Sequence, residues 1–517
     1  MSAVAPDPDS TMSVANISGA PDHGSLIAAH LICSTVARCN KKFWMPTQNN
    51  PETYCKEDIL WTLFAQSTLQ TNAHNNSIKA EDINFLSSII PSSSIHLNQP
   101  TNVYLVPNRT WTYLQVSSTP PPSATPTGKH ILIIGGSVTA LTNAWLLLDM
   151  GYRVTVISDR YAPAEPRVTG QIAGALWEYP PAVCGQHTDE VSIDKSKIWC
   201  QISRDVFTDL VEKHGELHHG IQIQIANFFF THDLHDASMK GQAQKMDEIQ
   251  KLGLPGFLHN PKLIERHRVN QNAGVADAYR HEAPVIDTDA YLVWLNELVQ
   301  LKGAEVKRID PIKTDLLKLE HELLEKYQAD VILNATGLGS RELAQDDSVY
   351  PIRGCLIRVK NDGKRFPIIK EVLAVSNTDT EKMDNIVFIV PRNDQILLLG
   401  GSVEPHEENL DLTMESQLVK NMRARCNNFV TGLENAELDE VPLVQGLRPF
   451  RQKSIRVDNE RRLHEDGSSS KIVHCYGHGG SGFTLSFGSA MQAVALIEDV
   501  CTGKIGQGRK SVLSKAH

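Results

Sequence analysis

The stretch HILIIGGSVTALTNAWLLLDMGYRVTVISDR, residues 130–160, decides how this chain is read. A short apolar run is broken by Gly135 and Gly136, an apolar helical pattern follows, and a second strand, YRVTVIS, closes on Asp159 and Arg160. That order predicts a βαβ unit. A glycine turn between strand and helix, with an acid ending the next strand, is also how dinucleotides are bound. The first glycine permits the tight turn, the second lets the backbone approach a pyrophosphate, and the third lets the helix pack on the strand. In register these positions fall on Gly135, Ser137 and Ala140, with a further glycine at Gly136. Ala is an accepted variant at the third site, whereas Ser137 puts a Cβ where the pyrophosphate would come close. Asp159 lies 24 residues after Gly135, near the spacing for a carboxylate that accepts from ribose hydroxyls. The same residues also fit an ordinary packing turn with a solvated acid at a strand end.

On the N-terminal side, residues 1–128 are rich in Ser, Asn, Thr and Pro and end in SSTPPPSATPTGKH. They read as a disordered or loosely ordered extension with a polyproline-like linker. On the C-terminal side, IQIQIANFFF alternates at period two, as a half-buried antiparallel strand should. DTDAYLVWLNELVQLKG predicts a helix capped at Asp287 or Thr288 and stopped at Gly303. ADVILNATGLG reads as a buried strand ending in glycines, NIVFIVP and QILLLGG as a hairpin, and residues from about Thr484 as a last helix. Parallel-sheet elements at the start, middle and end, with antiparallel segments between, predict a discontinuous two-domain α/β chain.

The chain of 517 residues carries a formal net charge of −10, against the basic surface that nucleic acid demands. Its nine cysteines show no CxxC pair or metal spacing, which fits a reducing compartment and no bound metal. The start has no basic and apolar signal-peptide pattern, and no apolar run is long enough to span a membrane.

YGHGGSGFTLSFGSA, residues 476–490, sets four glycines just before the last helix. Glycine contributes no packing and loses the most backbone entropy, so such a loop points to a ligand held against main-chain N–H groups.

Together with residues 130–160, four blocks resemble the FAD-dependent D-amino acid oxidases of the DAO group: VTGQIAGALWEYPP, NATGLGSRELAQDDSVYPIRGCLIRV, QGLRPFR and YGHGGSGFTLSFGSA. The resemblance covers residues from about 130 to 503. It implies a Rossmann-like FAD domain (129–200, 281–350 and 445–503), an α+β substrate domain with a mixed or antiparallel sheet (201–280 and 351–444), and a flexible tail (504–517). It further implies Asp159 and Arg160 at the adenosine, Gly135, Gly136 and Ser137 at the turn, and Thr169 and Gln171 near the phosphates. Ala173, Gly174, Ala175 and Leu176 would run along the flavin ring, with Thr336 and Gly337 beside it. Gly479, Gly480, Ser481, Gly482, Phe483 and Thr484 would wrap its edge. Arg448 would anchor a substrate carboxylate through a bidentate fork. The Gly480 carbonyl would accept from the substrate amine, and molecular oxygen would reoxidise the flavin with release of hydrogen peroxide. Phe388 stands where the family usually has a tyrosine that bonds this carboxylate. His478 reads as structural, because moving a hydride from carbon to flavin needs no imidazole.

The expected activity is D-amino acid oxidation. The alternatives are oxidation of a secondary amine or specialised metabolite, prompted by Phe388, and a non-catalytic relative, prompted by Ser137. The resemblance leaves open a homodimer, and a cytoplasmic or peroxisomal location, since Ser514–Lys515–Ala516–His517 departs from the usual peroxisomal tripeptide.

Overall fold

The computed structural model describes residues 126–179, 190–215, 219–375, 386–452 and 454–504. The expectations for the extension up to residue 125 and for the tail from 505 lie outside them.

Two sheets organise the described chain. The first contains β1 (His130–Ile134), β2 (Arg153–Ser158), β6 (Glu305–Arg308), β7 (Val331–Asn334), β14 (Arg456–Asn459) and β15 (Ile472–Tyr476), in the order β14-β15-β7-β1-β2-β6. All neighbours are parallel except β14 on β15. The second contains β3 (Ile221–Phe230), β4 (Leu258–His259), β5 (Asp277–Ile286), β8 (Val349–Lys360), β9 (Val372–Val375), β10 (Val387–Pro391), β11 (Ile396–Gly400), β12 (Glu404–Pro405) and β13 (Leu438–Arg451). Its order is β12-β8-β11-β10-β9-β3-β5-β4, with β13 on the other edge of β8. Every pair in it is antiparallel except β3 with β9. The longer helices are α1 (Val138–Asp149), α2 (Glu190–His214), α3 (Lys240–Lys251), α4 (Thr288–Leu301), α5 (Leu316–Tyr327), α6 (Gln417–Phe429) and α7 (Ser486–Cys501).

The βαβ unit forms where the sequence puts it. β1 is central and buried throughout, as its unbroken apolar run requires of a parallel strand covered on both faces. Helix α1 packs on α4 and α7 through Trp145, which meets Trp294 and Phe487 edge-on, each at 5.7 Å. The Trp145 indole donates to Asp149, and Asp149 is buried against Lys302 at 2.7 Å, so this buried acid and lysine satisfy each other. Asp287 caps α4 by accepting from the Asp289 amide, and Gly303 takes φ 102° just past its end. The β10–β11 hairpin is present in register Phe388 to Gly400.

One local expectation is corrected. β3 pairs with β5 in antiparallel fashion, but it is not half-buried along its length: Ala226 to Phe230 are all buried. The reason is that both faces are covered along this half: Ala226, Phe228 and Phe230 join the core on one face, and Phe229 on the other packs edge-on against Phe429 of α6 at 5.3 Å. The boundaries drawn at 281, 351 and 445 fall inside β5, β8 and β13, all strands of the second sheet. Among the described strands, the chain passes between the sheets four times: between β2 and β3, where β5 leads through α4 to β6, where the turn after β7 leads to β8, and where β13 leads to β14.

Candidate active site

The turn after β1 is shaped by close packing. Gly135 has φ 133°, a conformation that favours glycine, and a Cβ there would overlap the Ala335 carbonyl. A Cβ on Gly136 would overlap the Arg160 carbonyl. The glycine turn is thereby wedged between the ends of β7 and β2. Helix α1 begins at Ser137 with no side-chain cap and no acid in its first turn. Its first N–H groups and the positive end of its dipole are left for an anion. The Ser137 hydroxyl oxygen lies 2.6 Å from where a Gly170 Cβ would be, so Gly170 makes room for the serine. Asp159 and Arg160 pair with each other at 3.3 Å at the edge of the turn, both partly exposed.

The segment from Thr169 to Leu176 runs past this turn. Thr169 is exposed, whereas Gln171 is buried and already engaged, accepting from the Val168 amide and donating to Asp289. Ile172 fills the space that Gly446 leaves on β13. Gly174 lies so close to Phe388 that a Cβ would overlap the ring. The 173–176 segment and β10 are therefore in contact, and Phe388 faces Gly400 across the hairpin.

Two residues past Gly400, the Ser402 carbonyl accepts from Arg448 Nη1 at 3.0 Å. The Arg448 guanidinium lies across Gly354, where any Cβ would overlap it. Arg448 is only half-buried, yet no carboxylate among the described residues pairs with it. A half-buried guanidinium with no carboxylate beside it keeps donors that suit an incoming carboxylate.

Beside it, Gly337 lies against Pro449, and Phe450 bridges to His478. His478 is buried and hydrogen-bonds Ser489 Oγ at 2.9 Å, as a structural histidine does. Gly479–Ser481 forms a 3-10 turn, with Gly479 at φ 56°. Gly482 packs beside Val138 at the start of α1. The start of this loop is tied down by Asp346, which accepts from Arg451 and Tyr476, each at 2.7 Å. Burial pushes the Asp346 carboxyl up, but the bonds from Arg451, Ser348 and Tyr476 outweigh it and bring it down to about 2.

The structure thus strings together Gly135–Ser137, Gly170–Gly174, Ala335–Gly337, Phe388, Arg448 and the 478–484 loop. Thr169 and Arg160 sit at the exposed margin. Sequence reading missed Gly354 and Ser402, which seat Arg448, and Asn334. The buried Asn334 side chain accepts from the Thr336 amide and hydroxyl and meets His474 Nδ1 at 3.2 Å, fixing the turn against Gly135. An asparagine ending a buried strand before a glycine turn was the available signal for it. A separate open cavity of about 620 Å³ lies between Pro163–Arg167 and α4, and reaches this constellation only at Gln171.

A parallel sheet carrying the glycine turn, joined to a large mixed sheet carrying Phe388 and Arg448, is the architecture of flavin-dependent oxidoreductases. A family profile for DAO, described as FAD dependent oxidoreductase, matches residues 130–496, and the chain belongs to that family. It is 24% identical over 374 residues to a D-amino acid oxidase of Dugesia ryukyuensis, covering 72% of this chain and 98% of that one. It is 29% identical over 367 residues to a D-amino-acid oxidase of Streptomyces coelicolor, covering 71% and 96%. In fold it is similar to a dithionite-reduced L-alpha-glycerophosphate oxidase of Mycoplasma pneumoniae with FAD bound, at TM-score 0.55 and 15% identity, covering 72% and 94%.

FAD is the cofactor of this family, and the residues present fit it. The uncapped start of α1 suits a pyrophosphate, and the partly exposed Asp159 suits a ribose. A Cβ on Gly482 would have only Val138 Cγ1 nearby, at 3.7 Å, so that glycine leaves its backbone open to a ligand. No helix among the described residues is long and apolar enough to cross a membrane.

Proposed function

We propose that the protein is an FAD-dependent oxidase of D-amino acids, yielding an imino acid that hydrolyses to a 2-oxo acid and ammonia. One observation carries the substrate class: the half-buried Arg448 has no carboxylate partner among the described residues, so a ligand carboxylate would complete it. In this reading the first sheet and its helices hold the cofactor, and the second sheet presents the substrate. Asp159 and Arg160 would hold the adenosine end of FAD, and Gly135 to Ser137, Thr169 and Gln171 the phosphates. Ala173 to Leu176, Thr336, Gly337 and Gly479 to Thr484 would surround the flavin.

When bound, FAD supplies the two-electron acceptor for the Cα–H hydride and passes the electrons to molecular oxygen, giving hydrogen peroxide. Arg448 would fix the α-carboxylate by two parallel N–H bonds, and the Gly480 carbonyl would accept from the amine. Two fixed groups on one Cα limit how the C–H can point, which is the entropic part of the rate gain. Phe388, packed on Gly174, supplies an apolar wall and no hydrogen bond. The absence of a phenol there costs about 1.5 to 3 kcal/mol of carboxylate binding relative to a tyrosine. That favours, as a second reading, a secondary amine or specialised metabolite that also bears a carboxylate.

The test is the visible spectrum of the purified full chain before and after anaerobic addition of D-amino acids. Bleaching of a flavin band near 450 nm is the expected outcome. A yellow protein that ignores D-amino acids but is bleached by an N-substituted amino acid would establish the second reading. A protein that takes up no FAD would overturn both.

A further inference from the structure

Arg392 follows β10 directly, four residues past Phe388, and its side chain is 1% exposed. A fully buried guanidinium is expensive, and the carboxylate of Asp287 approaches Nη1 no closer than 3.6 Å. Its two terminal nitrogens go elsewhere, while Nε is buried without a hydrogen-bond partner among the described residues. Nη2 reaches the carbonyl oxygens of Gln171 and Ala173, each at 3.3 Å, and Nη1 donates to the Thr288 hydroxyl. Thr288 in turn donates to the Gln171 carbonyl at 2.7 Å. The surrounding charges are spoken for: Asp289 is held by Arg167 and Arg358, and Asp287 accepts from Asn393. A lone ion pair would not need this arrangement, because a simple charge could meet Asp287 without reaching the carbonyls.

Those two carbonyls flank Ile172, and the next residue after Ala173 is Gly174, on which Phe388 rests. β10 and its end therefore grip one short stretch of backbone at two points, the guanidinium Nη2 shared between the carbonyls of 171 and 173 and an aromatic ring at 174. Two points of attachment set the separation and the tilt of that backbone relative to β10, which a single contact would leave free. We infer that Arg392 is a positioning residue that fixes the backbone of residues 171–174 against the strand carrying Phe388. The inference rests on the functional reading above, in which residues 173–176 line the flavin and β10 lines the substrate.

The test compares the wild-type full chain with Arg392→Lys, which keeps the charge but loses the planar fork, and with Thr288→Val. FAD dissociation constants come from titration of the apoprotein, and the environment of the bound flavin from visible circular dichroism at saturating FAD. Anaerobic flavin reduction is followed where the wild type responds to D-amino acids. The expected result for either variant is an FAD dissociation constant raised about tenfold, together with an altered flavin dichroism. At saturating FAD, the limiting reduction rate should fall more than the substrate affinity.

A variant that merely melts at lower temperature, with wild-type FAD affinity and dichroism, overturns the inference. If Arg392→Lys does not fold, Thr288→Val decides by the same readouts. A wild type that binds FAD but is not reduced by D-amino acids defeats the substrate assignment alone, while affinity and dichroism still judge Arg392. A wild type that binds no FAD defeats both.

Discussion

Arg448 lies on β13, its guanidinium across Gly354 and donating to the Ser402 carbonyl. The residue type and its place in QGLRPFR were visible in the chain, and Pro449 after it accords with an extended backbone, realised as β13. What seats the side chain was not visible, because Gly354 belongs to another strand and the Ser402 carbonyl to a loop beyond β11. Replacing Arg448 with Ala removes two charge-assisted bonds to a carboxylate, about 3 kcal/mol or more, so kcat/KM for D-amino acids should fall more than a hundredfold. Flavin content of the purified variant should be unchanged, and full retained turnover would refute the anchoring role. Gly354→Ala probes the same point from beneath. Its methyl would displace the guanidinium, and KM for carboxylate substrates is expected to rise about tenfold with flavin content intact.

Among the elements, Gly135 after β1 and Gly482 before the last helix look alike in sequence and behave differently in space. Gly135 is required by the protein itself, through its φ of 133° and the Ala335 carbonyl beside it. Gly135→Ala should destabilise the apoprotein by about 1 to 3 kcal/mol, seen as a lower denaturant midpoint, before any cofactor is added. Gly482 is not so constrained, since a Cβ there would meet only Val138 at an ordinary contact distance. Gly482→Ala should leave the apoprotein within about 0.5 kcal/mol of wild type. Weakened FAD binding in that variant would show that the bare backbone serves the ligand, whereas unchanged binding would place the flavin elsewhere. β1, α1, β2, the Asp287 cap and the β10–β11 hairpin were legible because their signals are local. The burial of β3 was misread because it depends on both faces being covered, one of them by Phe429, a residue far along the chain.

Across the whole molecule, two groups in different places, buried His281 and half-buried Asp346, contribute to the acid limit of stability. Burial pushes His281 in β5 down to about 4, against the pull of its bond to the Glu282 carbonyl. The unfolded chain, at the ordinary histidine value of 6.5, therefore binds a proton that the native state refuses. Stability from this group is complete above pH 6.5 and is lost as pH falls towards 4, at up to about 1.4 kcal/mol per pH unit. Asp346 adds a second loss below its ordinary 3.8, continuing to about 2 as its bonds to Arg451 and Tyr476 are protonated away. Denaturant melts across this range should show both limbs. His281→Phe should flatten only the upper one and Asp346→Asn only the lower, and parallel curves in all three proteins would exclude both assignments.

By itself the sequence determined the βαβ unit, the alternation of parallel and antiparallel segments, the acidic character of the chain, and a family resemblance carried by ordered motifs. These are properties of neighbouring residues, set by side-chain periodicity and by the backbone freedom of glycine. Only the tertiary structure decided which glycines are demanded by packing, that Gly174 receives Phe388, and that Gly354 seats Arg448. It likewise decided that Arg392 spends its buried charge on two backbone carbonyls. The physical reason is that steric exclusion and hydrogen-bond satisfaction act between groups brought together by folding, and no local pattern records which distant groups those are.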